Sequence, residues 1–252
     1  MAILSMNDRS AEEGAAQATL LTQEVVAVRV VAIGNGCRPE TVPPGALTVC
    51  LSKNLGIPGG RNVGARALRD AGDPTDWLYF LDKDAAFPRP DVVARLVAEA
   101  EQHPEAAWVQ PRLTGPDDTT IPRRWIPRLR ASDPGRSGRI ASMTEGVVLI
   151  RREAFDAVGG WEDRIFLYHE GSELAWQLFE AGWSGWYAAS IHMPPRHGLY
   201  HRLAARNRIW IDYRGLPPHS SPLPEHVDRD HSGPNRAGAI RARGCAACAK
   251  AG

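Results

Sequence analysis

Apolar and polar positions alternate between two periods along the first 113 residues. The opening "MAILSM" is a short apolar run and predicts a buried strand, and "SAEEGAAQATLLTQ" after it predicts a helix. Residues 25–33, "VVAVRVVAI", are mostly β-branched and predict a second strand, closed by the turn cluster "GNGCRPE". "ALTVCL" predicts a third strand. "GGRNVGARALRDAG" predicts a helix opened by glycines and closed by Gly72, and "DWLYFL" predicts a fourth strand. "PDVVARLVAEAEQHP" sets Val92, Leu96, Val97 and Ala100 at helical spacing, and "AAWVQPRL" predicts a fifth strand.

This rhythm predicts an α/β fold with a mostly parallel, Rossmann-like central sheet flanked by helices. Ligands bind such sheets at the C-terminal ends of the strands. Asn7 and Asp8, Asn35, and Asp82 and Asp84 therefore fall on one rim, supplied by three strand ends. The rhythm breaks at residues 114–141, which are rich in Pro, Arg, Gly and Asp and read as a long loop. "GVVLIRREAFDAVGGW" then predicts a strand, a helix and a turn. "EGSELAWQLFEAGW" predicts an amphipathic helix with Leu174, Leu178 and Ala181 on one stripe, and "GLYHRLAARNRIWIDY" a helix basic on one side. Residues 216–252 hold almost no large apolar side chains, so they cannot offset the entropy of ordering and are expected to form a disordered tail. The expected organisation is one domain over residues 1–215. Residues 1–113 form its first half and 114–215 its second.

Composition narrows the classes. The 252 residues are 43% hydrophobic and 23% charged, ordinary for a globular chain. A net charge of +1 supplies no field to gather nucleic acid or an anionic membrane. No apolar run reaches the ~18 residues of a membrane span, and the N-terminus does not read as a secretory signal. Four cysteines, Cys37, Cys50, Cys245 and Cys248, are too few for a disulfide scaffold, so the expected setting is cytoplasmic. Cys245 and Cys248 have C-x-x-C spacing, but they match no zinc pattern with the upstream histidines.

Two carboxylates at one strand tip, Asp82 and Asp84, attract a hard divalent cation such as Mn²⁺ or Mg²⁺. Such ions take oxygen ligands and are commonly held by one or two carboxylates plus substrate phosphates. The flanking residues sharpen this. An Asn-Gly turn, "GGRN", a helix and "LYFLDKD" together resemble the nucleotide-binding half of family 2 glycosyltransferases of GT-A fold. "TEGVVLIRREAFDAVGGWEDRIFLYHEGSELAWQLFEAGW" resembles the acceptor-side block of that family, and "ARNRIW" the helix that follows it in many bacterial members. The resemblance covers residues 2–215.

The resemblance implies a metal-dependent, inverting transferase that moves a sugar from a nucleotide-diphospho sugar to an acceptor hydroxyl on a glycan, a lipid-linked molecule or a small molecule. A lipid-linked acceptor implies peripheral contact with the inner face of a membrane. It implies that Asp84 is the metal ligand, with Asp82 near the ribose or the metal, and that Asp8 and Asn35 contact the base. Arg61 and Asn62 lie on the nucleotide side, and Lys83, between the aspartates, either points away or binds phosphate. Glu170 falls where the family carries an acidic pair that includes the catalytic base. The second acid of that pair is here Gly171, which leaves Glu170 or Glu173, three residues apart on one helix face, as substitutes. His169 either orients the acid, contacts phosphate or is structural. Trp125 in "RRWIPR" is a candidate for stacking on an acceptor sugar or a loop anchor. Arg206 either meets the diphosphate or is a solvated helix charge. Gly171 also motivates an alternative, a catalytically inert relative that binds nucleotide or glycan or supports a partner enzyme. A nucleotidyltransferase ranks lower, because "SMNDRS" has no glycine-rich phosphate loop.

Overall fold

The computed structural model describes residues 1–5, 10–24, 26–72, 75–82, 85, 87–114 and 133–193. Their elements run β1 (Ala2–Ser5), α1 (Ser10–Leu20), β2 (Val31–Gly34), β3 (Leu47–Cys50), α2 (Gly56–Asp70), β4 (Trp77–Leu81), α3 (Val92–Gln102), β5 (Ala106–Leu113), β6 (Gly138–Ile140), β7 (Val147–Arg151), α4 (Arg152–Ala157), α5 (Glu170–Glu180) and β8 (Ser184–Met193). One eight-stranded sheet carries them in the order β3-β2-β1-β4-β7-β5-β8-β6.

Successive strand residues point to opposite faces, and β4 shows the result. Leu78 and Phe80 join one core with Val31, Ile33 and Trp108, against Leu68 of α2, Phe155 of α4 and Leu174 and Leu178 of α5. Tyr79 and Leu81 join the other, with Ile3 and Val109, against Leu20 of α1 and Val92 and Leu96 of α3. A sheet covered on both faces needs apolar residues at consecutive positions. That is why "WLYFL" reads as a continuous run rather than an alternation.

The α/β class is borne out. The parallel arrangement holds for β1–β2, β2–β3, β1–β4 and β5–β8. β7 enters between β4 and β5 and runs antiparallel to both, and β6 is antiparallel to β8. Antiparallel neighbours need no helical crossover between them, so the strand–helix rhythm does not reveal β7's direction. Three elements differ from the pattern. The second strand is Val31–Gly34 rather than the longer β-branched run, β6 lies within the expected loop, and β8 carries no clean periodicity. The expected basic helix and the 216–252 tail lie outside the described residues. No helix among the described residues is long and apolar enough to cross a membrane.

Candidate functional site

The rim at the ends of β2 and β4 is built by side chains that hold the backbone. Asn35, just past β2, is buried. Its Nδ2 donates to Asn54 Oδ1 at 2.8 Å and to the Gly56 carbonyl at 2.9 Å, and its Oδ1 accepts from the Leu55 N–H at 2.8 Å. Asn54 Oδ1 also accepts from the Gly56 N–H at 2.8 Å. These two asparagines fix the turn into α2 and so aim its first turns at the rim.

Arg61 and Asn62 leave α2 toward the sheet. Arg61 is 3% exposed, and its Nη2 donates to Asp82 Oδ1 at 2.7 Å. Its guanidinium lies 5.0 Å from the Trp161 ring centroid and 5.8 Å from that of Phe80, so two aromatic faces support the buried cation. Its Nη1 is buried with no hydrogen-bond partner among the described residues. Asn62 pairs with the Trp161 backbone in both directions. Nδ2 donates to the Trp161 carbonyl at 2.7 Å, and Oδ1 accepts its N–H at 2.9 Å. That pairing holds Trp161 where it can cover Arg61.

Asp82 follows β4 directly, and its side chain is 44% exposed. Its N–H donates to the Gly146 carbonyl at 2.7 Å, which continues the β4–β7 pairing one step past Leu81 and Val147. A Cβ at Gly146 would stand 2.5 Å from Asp82 Oδ2, so a side chain there would displace the Asp82 carboxylate. The turn that carries Gly146 is clamped from β5. Buried Gln110 donates from Nε2 to the Val147 carbonyl at 2.9 Å, and its Oε1 accepts the Thr144 N–H at 3.0 Å. Between those anchors sits Glu145, a residue the sequence reading did not select.

The acids of the second half meet this point. Glu170 and Glu173 both lie in the first turn of α5, as expected, where the helix end favours negative charge. Both are enclosed, at 1% and 3% exposed. Glu173 Oε1 accepts from Gln177 Nε2 at 3.3 Å. Glu170 Oε2 has no partner among the described residues. Burial pushes the Glu170 carboxyl up to about 8; the neighbouring Glu145 carboxylate adds to the rise, and Arg61 opposes it. Burial also raises the Glu145 carboxyl, opposed by backbone hydrogen bonds at Glu145 and Gly171 and by Arg61, and reinforced by Asp82. The residue as a whole remains partly exposed. Tyr168 and His169, which lead into α5, both adopt left-handed φ angles, 68° and 66°. Such conformations cost free energy in non-glycine residues and cluster at functional sites. The Ile57 N–H donates to the Phe166 carbonyl at 3.0 Å, so the start of α2 and this segment are tied together.

The structure therefore brings together Asn35, Arg61, Asn62, Asp82, His169, Glu170 and Glu173 in linked elements. Asp8, Lys83, Asp84, Trp125 and Arg206 lie outside the described residues. Asp82 offers a half-exposed oxygen donor to a hard divalent ion. No group of three or more His, Cys, Asp or Glu suited to hold a metal occurs among the described residues. Such a donor set fits an ion that takes most of its ligands from substrate phosphates and water.

Two solved structures share this fold. The N-acetylgalactosaminyltransferase GalNAc-T7, solved with UDP, GalNAc and Mn²⁺, superposes with a TM-score of 0.63 at 14% identity, over 84% of this chain and 47% of that one. The mannosyltransferase PcManGT of Pyrobaculum calidifontis, solved with GDP-Man and Mn²⁺, gives 0.59 at 17% identity, over 82% and 59%. The fold is thus that of the GT-A glycosyltransferases. Residues 43–159 match the family described as glycosyl transferase family 2. A curated relative, the N-acetylglucosaminyl-diphospho-decaprenol L-rhamnosyltransferase of Mycobacterium tuberculosis, is 26% identical over 165 aligned residues, 55% of this chain and 52% of the relative. The chain thus spans about half the length of the curated relative it matches.

Proposed function

We propose that this chain is a metal-dependent, inverting glycosyltransferase that moves a sugar from a nucleotide-diphospho sugar to an acceptor hydroxyl. The observation that carries this reading is the Arg61–Asp82 pair at the end of β4, with Glu145 and Glu170 close enough to perturb each other beside it. Asp82 and Asp84 would hold Mn²⁺ or Mg²⁺, which neutralises the departing diphosphate when bound. Asn35 shapes the turn beneath the nucleotide, and Arg61 fixes one oxygen of the half-exposed Asp82 side chain. The acids of the second half lie on the acceptor side and take the hydroxyl proton. The name of the Mycobacterium tuberculosis relative supports a lipid-diphosphate-linked acceptor, and with it contact at a membrane surface.

The test is a calorimetry panel of UDP, GDP, dTDP and CDP, each with and without Mn²⁺. One nucleotide is expected to bind only with the ion, and binding at ~100 times its Kd raises stability by about 2.7 kcal/mol. Asp82→Ala and Asp84→Ala are expected to abolish that gain. No binding by any of the four would sink the proposal. Binding without turnover of any matching donor would favour the inert relative that Gly171 suggests.

A further inference from the structure

We propose that Glu145 is the proton acceptor of the transfer, its carboxylate standing in the space that an acidic side chain at position 171 would fill. This rests on the transferase reading above. A Cβ built on Gly171 would lie 2.6 Å from Glu145 Oε2, and 2.9 Å from the Met143 carbonyl oxygen. A side chain there would force Glu145 or the Met143 backbone to shift. The gap in the acidic pair at 170 and 171 is therefore filled from the turn before β7, by the side chain of Glu145.

Three further observations point the same way. Glu170 and Glu173 are enclosed along their whole length, whereas Glu145 is enclosed at its carboxyl but only half-buried as a residue. The turn that carries Glu145 is held on both sides by Gln110 and joined to Asp82 through Gly146, so its place relative to the donor rim is fixed by backbone hydrogen bonds. Glu170 adds a buried oxygen with no partner among the described residues, close enough that the Glu145 carboxylate raises the Glu170 carboxyl.

The step balances. The acceptor oxygen forms a bond to the anomeric carbon as its proton passes to the Glu145 carboxylate. The bond from that carbon to the diphosphate oxygen breaks, and its electron pair leaves with the nucleoside diphosphate.

The acceptor is unidentified, so the probes are water and azide, used with a panel of UDP-, GDP-, dTDP- and CDP-sugars and Mn²⁺ on the full chain. Water must lose a proton on attack, whereas azide carries none. Glu145→Gln is expected to slow hydrolysis by about 10²- to 10⁴-fold, leave azide transfer within about fivefold of the native rate, and leave nucleotide affinity unchanged. Glu170→Gln is expected to slow hydrolysis less than Glu145→Gln does. Equal loss with water and azide in Glu145→Gln would show a structural role and overturn the assignment. Full hydrolysis by that variant would overturn it too and return the role to Glu170 or Glu173. A native chain that neither binds a nucleotide nor consumes a donor overturns the transferase reading itself, and the assignment with it.

Discussion

Glu170 keeps a carboxyl almost out of water, and that has a measurable price in stability. Its ordinary value is 4.5, and in the folded chain it stands near 8. Folding therefore takes up a proton between those values, so this group's contribution is fully present below about pH 4.5 and is lost as the pH rises toward 8. In metal-free protein, Glu170→Gln is expected to flatten the fall in stability over that window. It should be the more stable form at pH 9, by at most roughly 5 kcal/mol. Urea titrations at pH 5, 7 and 9 read this directly, and a slope unchanged by the substitution would refute it. At this scale the sequence told much. Asp82 and Asn35 stand at strand ends, and their positions follow from chain order alone. Glu145 does not, because it acts only through its neighbours in space. Gly171 showed that an acid was missing, but what fills the gap depends on the pairing of β7 with β4. The available signal was the mirror symmetry of "LYFLD" and "EGVVLI": an acid at the end of one apolar strand and at the start of another.

At the scale of elements, two buried amides hold the site. Gln110→Leu leaves the Thr144 N–H and the Val147 carbonyl without their partner. The expected cost is about 2 kcal/mol, with a larger proportional loss of donor turnover than of nucleotide affinity, because the turn that loosens carries Glu145 rather than the donor rim. Denaturation and steady-state kinetics on one preparation separate the two effects. Asn62→Ala removes a reciprocal pair from the Trp161 backbone and with it the ring over Arg61. It is expected to cost about 2–3 kcal/mol and to weaken nucleotide binding, through the misplacement of Asp82. Most elements were legible. α2, α3, α5, β4 and β5 follow from runs and periods in the sequence. β8 was not, since "SGWYAASIHM" mixes small, aromatic and polar residues. Its burial comes from tertiary packing, with Gly185 against Trp108 and Tyr187 fully enclosed. β6 was hidden because three residues of a polar stretch gain strand geometry only by pairing with β8.

For the molecule as a whole, a single sheet joins donor rim and acid turn. Damage far from the site should therefore reach it through loss of the fold. Gly185 is the sharpest place to test this. A Cβ there would stand 2.1 Å from Trp108 Cε2, in a ring that is wholly buried. Gly185→Val is expected to destabilise the chain by more than about 3 kcal/mol. Intrinsic tryptophan emission and nucleotide binding should then be lost at the same denaturant concentration. Two separate transitions would show that the halves of the sheet unfold independently.

The antiparallel insertion of β7 has a consequence for how such a protein can diversify. Because β7 runs against β4, its first residues adjoin the last residues of β4, and the register Leu81 to Val147 sets the spacing of Asp82 and Glu145. The β4–β7 register draws no residue from the stretch between β5 and β6. Insertions and deletions there leave the spacing of Asp82 and Glu145 as it is. Selection for a new substrate then need not reinvent the chemistry.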